Sequence, residues 1–529
     1  MPQTTGEAEW LLQALKKNYN RSASKDSSKI KLNQLISKLG FFYEKVRNAI
    51  DYNDEHLIRR NSLRRLITRQ MKFLAERDPV KIAETVVFEF IRAKYLPNDA
   101  LPESDIEQTA AIIAKYLTLF NYLQGHPVAE AKKVNDWLLD LLTCEIDEYL
   151  FPNGRDMAIV NFMYGEMVKS ISFVKSSIDE KERNLQIYIA VLKNLIKADL
   201  PLIRYWLIKL YNPQWNSFTP DDIKKFAPNL TDTKNRIELH LSHYSGYQVT
   251  QMIKKQAVFF QILREIIEQS DDNIRETIND EKKLEEKISE VCNKNYKRIR
   301  GKLVGSIVRV IIYILFTKTI LAFILELPYD QFIVGQVNWQ ALLINIIFHP
   351  LLMFVIAMSI KVPGQKNTKI IIEEVKKILY GGERKLIYKP RKLLRRGSFT
   401  FIFFNTIYLI MFGISFGAVV AVLHRLNFNL FSGALFIFFL TLVSFFGFRL
   451  RNFANQFLVV PRKENLWNFL LDFFSLPIIR AGKFFSSNFS KINVFLYILD
   501  FIIETPFKML VELLEKALSF IGEKREEIS

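Results

Sequence analysis

The chain has 529 residues, 49% of them apolar, with 44 Phe against 19 Gly and 17 Pro, a composition that excludes a mainly disordered or low-complexity protein. Lys and Arg exceed Asp and Glu by 73 to 55, and the excess sits in the more hydrophobic part, where residues 301–529 carry 27 basic against 14 acidic side chains. Nucleic-acid binders ordinarily carry such charge on a soluble domain, so this distribution points to a membrane surface and makes a nucleic-acid partner unlikely on physical grounds.

The N-terminus, MPQTTGEAEWLLQALKK, has acidic residues ahead of the apolar ones and no apolar core long enough for a secretory signal, so export of residues 1–300 is not expected. Cys144 and Cys292 are far apart and belong to no CxxC spacing, which predicts two unpaired thiols in a reducing compartment rather than a disulfide or zinc centre.

Residues 1–245 read as a cytoplasmic helical domain. Within HLIRRNSLRRLITRQMKFL, Arg59, Arg60, Arg64, Arg65 and Arg69 share a helix with Leu63, Leu66, Ile67 and Met71, a pattern that suits contact with anionic lipid or an acidic protein partner. Apolar residues at three- and four-residue spacing predict helices over 104–123, 128–150 and 181–211, separated by breaks such as LPNDALPE and FPNGR. Ser104 followed by Glu107 has the spacing of a capping box. No alternating strand pattern stands out. Glu238, His240 and His243 in IELHLSHYSGY offer three metal-type ligands, but their spacing is not HExxH and packing roles are expected of them.

Residues 246–302 lack Pro, and Phe260, Leu263, Ile267, Ile274, Leu284, Ile288 and Val291 fall near a heptad seam. The reading is a long helix, or an antiparallel coiled-coil-like hairpin broken near 270–273, that leads to the membrane; an ordinary bundle helix is the competing reading.

A hydrocarbon core of about 30 Å requires about 20 mostly apolar helical residues. Four such windows follow, 303–327, 339–360, 399–423 and 430–448, forming a transmembrane region over 303–448. The connection 361–398 carries twelve Lys/Arg against three Glu, whereas 328–338 and 424–429 together hold one Asp and one Arg. The positive-inside rule then places both termini in the cytoplasm. Trp339 and Tyr329 fit an outer aromatic belt, and Tyr296 and Tyr388 an inner one. Richness in Ile, Lys, Phe and Asn fits an AT-rich prokaryotic genome and hence the cell (plasma) membrane.

A charge at mid-bilayer costs roughly 2.5–3.5 kcal/mol even on the lenient insertion scale, so polar residues inside the spans are the most informative ones. Lys318 lies about 13 Å from the end of the first window and His349 about 15 Å into the second, with Thr441 at a similar depth in the fourth and Asn345 and Glu326 nearer the outer face. On an ideal helix Glu326 and Lys318 stand about 80° apart. Pro350 beside His349 removes a backbone donor. These residues either pin helices together or line a pathway at mid-membrane. Gly413 and Gly417 form a GxxxG suited to close helix approach within the bundle or between subunits.

The last segment, 449–529, reads as cytoplasmic amphipathic helices at the interface, because Pro477, Arg480, Lys483 and Asp500 keep each apolar run shorter than a span. Thr505 and Pro506 mark a new helix whose apolar face is Phe507, Leu510, Val511, Leu514 and Leu518. No phosphate-binding loop, GxSxG or paired-cysteine centre occurs, and no catalytic, metal or cofactor site is expected. The fold class expected is therefore all-α and polytopic. Its function is expected to be that of a membrane scaffold or interaction protein, with the bilayer's anionic inner leaflet and a protein partner or a second copy as contacts. An oligomeric transporter or channel for ions or small solutes is the alternative.

Overall fold

The computed structural model describes residues 5–16, 29–30, 55–73, 76–99, 101–125, 128–173, 178–270, 274–388, 399–460 and 466–491, with positions 513, 517, 520 and 521. The chain is mostly helical and divides into two units, one built mainly from 10–168 and 177–253, the other from 1–9, 169–176 and 254–492. The tail segment after 491, including the helix expected from Thr505, lies outside the described residues apart from those four positions.

The first unit is a helical assembly of α2 (Glu55–Thr68), α3 (Pro79–Arg92), α4 (Ser104–Tyr122), α5 (Val128–Leu150), α6 (Gly154–Ser170), α7 (Glu180–Leu195), α8 (Leu200–Tyr211), α9 (Pro220–Phe226) and α10 (Leu230–Leu241), after α1 (Gly6–Lys16), which begins in the other unit. Several starts follow from local chemistry. Asp78, Asp199 and Thr219 each accept a backbone N–H of the first turn, and a proline follows each within two residues. The Asp199 cap divides the stretch 181–211 into two helices, because Pro201 supplies no N–H to a continuing helix. At α4 the start is where the sequence places it, but Ser104 is the first helical residue and Glu103 the cap, and no side-chain capping bond forms.

The second unit begins with an antiparallel pair. Helix α11 (Gly246–Ser270), which starts in the first unit, is followed by the short α12 (Ile274–Asn279) and by α13 (Glu281–Leu321), capped by Asp280 through the N–H groups of Lys282 and Lys283. Asn295 donates to Glu265 at 2.7 Å, which sets the two long helices side by side in opposite directions. All seven apolar residues of the heptad-like seam are buried. Helix α13 has 41 residues, about 62 Å at 1.5 Å per residue and about twice a hydrocarbon core, so only its second half matches the first apolar window.

Among the described residues four helices are long and apolar enough to cross a membrane: the run 281–334, α14 (Trp339–Ser359), α16 (Phe399–Arg425) and α17 (Leu430–Ala454). The first does not end before Pro328, as the sequence reading has it. It continues through a π turn (Ala322–Glu326), one α turn (Leu327–Tyr329) and a second π turn (Asp330–Val334), and stops at Gly335 with φ +80°. Wider π bonding accommodates the N–H that Pro328 lacks, and only glycine takes the left-handed stop without strain. Ile314, Met353 and Val443 make the apolar centre shared by α13, α14 and α17.

The basic connection holds the amphipathic helix α15 (Gln365–Tyr380), which buries Ile371, Val375, Ile378 and Leu379 and ends at Gly381, φ +83°. The fold is all-α as expected, save for two three-residue strands among the described residues, β1 (Ile171–Phe173) and β2 (Leu386–Tyr388), which pair in parallel; three residues are too few to show alternation in a sequence. Tyr388 accordingly is buried against Phe173 instead of standing in an aromatic belt, and Tyr296 is buried with its hydroxyl bonded to Asn367 and Thr368. Helix α18 (Leu466–Lys491) packs along α17 and α16.

Candidate functional site

The mid-span polar residues stand at the meeting of α13, α14 and α17. Lys318, Asn345 and His349 are fully enclosed and Glu326 is 1% exposed. Lys318 Nζ donates to Asn345 Oδ1 at 2.5 Å, and Asn345 Nδ2 donates to Glu326 Oε1 at 2.6 Å, so the carboxamide bridges an ion pair whose own separation is 3.9 Å. Phe439 of α17 presents its ring face to the ammonium, 4.3 Å from the centroid, a contact that offsets part of the lost hydration.

The π turn explains how Glu326 reaches this point. One extra residue in a turn sets the helical phase back by about 100°, which offsets the roughly 80° by which Glu326 runs ahead of Lys318 on an ideal α-helix and brings it onto the Lys318 face. Glu326 Oε2 is buried without a hydrogen-bond partner among the described residues. His349 lies one turn beyond Asn345, with Nδ1 3.1 Å from the Asn345 carbonyl and Nε2 3.0 Å from that of Phe436. A neutral ring satisfies one of these acceptors and an imidazolium both. Pro350 sits inside α14 without ending it.

Thr441 does not join the cluster. Its hydroxyl donates to Phe438 O in its own helix at 2.7 Å, the local bond that Ser and Thr ordinarily make inside helices. Beyond the cluster, Asp330 accepts from Asn429, which also caps α17 by accepting Ser432 N–H at 2.8 Å; neither residue stands out in the sequence.

Gly413 and Gly417 have open space where a side chain would begin, so among the described residues the GxxxG brings no helix close. Close approach occurs instead at isolated glycines. A Cβ at Gly447 would lie 2.6 Å from Ile356 Cγ2, and one at Gly482 only 2.0 Å from the Thr441 carbonyl oxygen.

The basic helix α2 also departs from expectation. Arg59 makes two bonds to Asp147 (2.6 and 3.1 Å), Arg60 pairs with Asp199 at 2.8 Å, Arg64 with Asp140 at 3.1 Å, and Arg65 donates to Ser62. Arg69 is half-buried in a π turn (Arg69–Phe73). Arg59, Arg60 and Arg64 are thus each paired with an acid of their own unit, because three aspartates distant in sequence converge on them, and of the three the Arg64 side chain remains the most exposed.

The three ligand types at 238–243 do not converge. Glu238 binds Arg204 (2.7 Å), His240 stands between Glu182 (2.6 Å) and Tyr211 (2.7 Å), and His243 faces Ser245. Among the described residues no group of three His, Cys, Asp or Glu is arranged to hold a metal.

A second buried charge pair, which the sequence did not single out, lies in the first unit. Lys115 Nζ donates to Glu145 Oε1 (2.5 Å) and to Trp215 O (2.9 Å), while Glu145 Oε2 accepts from Tyr116 OH (2.8 Å) and Trp215 Nε1 (2.9 Å). Burial lowers the Lys115 ammonium and, with Glu145 beside it, raises the Tyr116 phenol. Burial also pushes the neighbouring Cys144 thiol from 9.0 up to about 12. The folded chain therefore keeps the Cys144 and Tyr116 protons to higher pH than the unfolded chain does. The stability they add is complete below pH 9 and is lost as pH rises towards about 12, with Lys115 acting in the opposite sense. The denaturant midpoint is expected to fall above pH 9, and to fall less in Cys144→Ala, as urea titrations across that range would record.

Comparison with known protein families, curated proteins and solved structures finds no match in any of the three.

Proposed function

We propose that the protein is an integral membrane scaffold. In this reading the four apolar helices cross the cell membrane, the Lys/Arg-rich connections lie in the cytoplasm, and the helical domain of 10–253 binds a protein partner or organises the membrane surface there. The observation that supports a scaffold over a transporter is the enclosure of the mid-span cluster: its cation, its carboxamide and one carboxylate oxygen pair with one another at 0–1% exposure, away from any open path within the chain's described residues. Such a cluster fixes the register of three helices. Trp10, 48% exposed beside Met157 and Asn161, gives the helical domain an apolar surface handle.

The orphan Oε2 of Glu326 is the one feature that favours the transporter reading, in an oligomer where a second copy completes a path to it. Flux measurements separate the two. Liposomes carrying the purified protein are expected to hold potassium and proton gradients as well as protein-free liposomes do. A leak abolished by Lys318→Ala and His349→Ala, in protein that still inserts, would replace the scaffold reading with the transporter.

A further inference from the structure

Helix α18 carries Asp472, Arg480 and Lys483, and its composition is that of an interfacial helix. Its contacts place it deeper. The chain leaving α17 is tied to the basic side: Asn367 donates to Phe457 O (2.8 Å) and to Tyr296 OH (3.0 Å) and accepts the N–H groups of Val459 and Val460. Tyr296 precedes the first apolar window by seven residues, so α18 sets out from the cytoplasmic end.

From there α18 runs antiparallel to α17. Ile478 packs on the cluster of Leu423, Phe436 and Leu440, Gly482 abuts the Thr441 carbonyl, and the Phe485 ring lies 5.3 Å from that of Phe438. Thr441 is eight residues, about 12 Å, from Arg449 at the cytoplasmic end of α17, which puts Gly482 near the middle of the hydrocarbon. The missing Cβ is what allows this approach: backbone meets backbone there, and any other residue would clash with a carbonyl.

Two cations come with it. Arg480 and Lys483 are one turn apart on the exposed side of α18, at about 9 and 14 Å depth by the same rise. The Arg480 guanidinium lies 4.9 Å from the Tyr408 ring centroid, and neither side chain has an ion pair among the described residues. Side chains on a helix lean towards its N-terminus, here the cytoplasmic leaflet, so the Arg480 guanidinium comes close to the phosphate layer, while Lys483 stops roughly 8 Å short of it, a gap that local thinning of the bilayer around a buried cation closes. Exposed Phe474, Leu476 and Phe484 supply an apolar surround of the kind acyl chains cover.

We propose that α18 is a fifth membrane-embedded helix, and that Arg480 and Lys483 on its outer face hold the phosphate of an anionic phospholipid of the cytoplasmic leaflet. This rests on the membrane reading above. Charge complementarity selects the lipid: among the described residues of the apolar helices the acids Glu326 and Asp330 are enclosed in their own chain, so they offer a second copy's cations no partner.

The test uses the full chain in vesicles of equimolar phosphatidylcholine and phosphatidylglycerol, with a nitroxide on Phe484→Cys and native mass spectrometry of lipid retained after detergent release. The nitroxide is expected to be relaxed by oxygen and not by a water-soluble metal complex. Retention of phosphatidylglycerol over phosphatidylcholine is expected to fall about thirty-fold in Arg480→Gln/Lys483→Gln, from roughly five-fold per cation, and to survive Arg480→Lys. Relaxation by the aqueous complex, or undiminished phosphatidylglycerol retention in the double variant, overturns the proposal while leaving the membrane reading intact. Failure of the chain to enter vesicles at all overturns the membrane reading itself.

Discussion

Replacing Lys318 by methionine is expected to destabilise the folded protein by about 3–5 kcal/mol, because it leaves the Glu326 carboxylate enclosed with no opposing charge. The loss is larger than the attraction of the pair, since it is dominated by the desolvation of the orphaned ion. The double variant Lys318→Met/Glu326→Gln is expected to recover most of it. A glutamine amide still accepts from Asn345 Nδ2 through its oxygen, and methionine packs on Phe439 in place of the ammonium stem. Unfolding in mixed micelles reads both. Single and double variants of equal stability would mean that water already reaches the site, which is the condition a transport pathway requires.

In the helical domain, Glu145→Ala is expected to cost about 3–5 kcal/mol as well. Glu145 accepts from Lys115, Tyr116 and Trp215 at once, so its removal strands an ammonium, a phenol and an indole N–H in a closed interior. Lys115 keeps only the Trp215 carbonyl. Lys115→Met/Glu145→Leu exchanges the ions for apolar volume and is expected to fall well short of the single variant's loss, as denaturant titration of the full chain would report. A single variant within 1 kcal/mol of wild type would show that the network does not hold α4, α5 and the Trp215 turn together.

What the sequence discloses is governed by distance along the chain. Spacing of apolar residues at three and four places the helix Val128–Leu150 at the bounds the structure shows, and windows of about 20 apolar residues find the four long apolar helices, since both signals are local. Lys318, Asn345, Glu326 and His349 stand out because a polar side chain in such a window demands a reason. Their pairing was not legible. It depends on a π turn that shifts Glu326 by about 100°, and no residue type announces such a turn. Thr441 has the right depth but a helical carbonyl within reach, and the local bond prevails.

Non-local partners account for the other differences. The arginines of α2 form an apparent cationic stripe only until Asp140, Asp147 and Asp199 fold against them. The GxxxG at Gly413 and Gly417 matches a packing motif, yet Gly447 and Gly482, which stand alone in sequence, are the ones that admit another apolar helix closely. Helix α18 fails a composition test for spanning because of three charges, while its contacts follow α17 to mid-length.

In the proposed topology the apolar helices cross the membrane with the Lys/Arg-rich connections inside the cell. Single cysteines at Gln336 and Lys385, both exposed, test it most directly against a background of two buried native cysteines. A membrane-impermeant maleimide added to intact cells is expected to label Gln336→Cys and to reach Lys385→Cys only after the membrane is opened. Labelling of Lys385→Cys from outside, with Gln336→Cys protected, would overturn this topology.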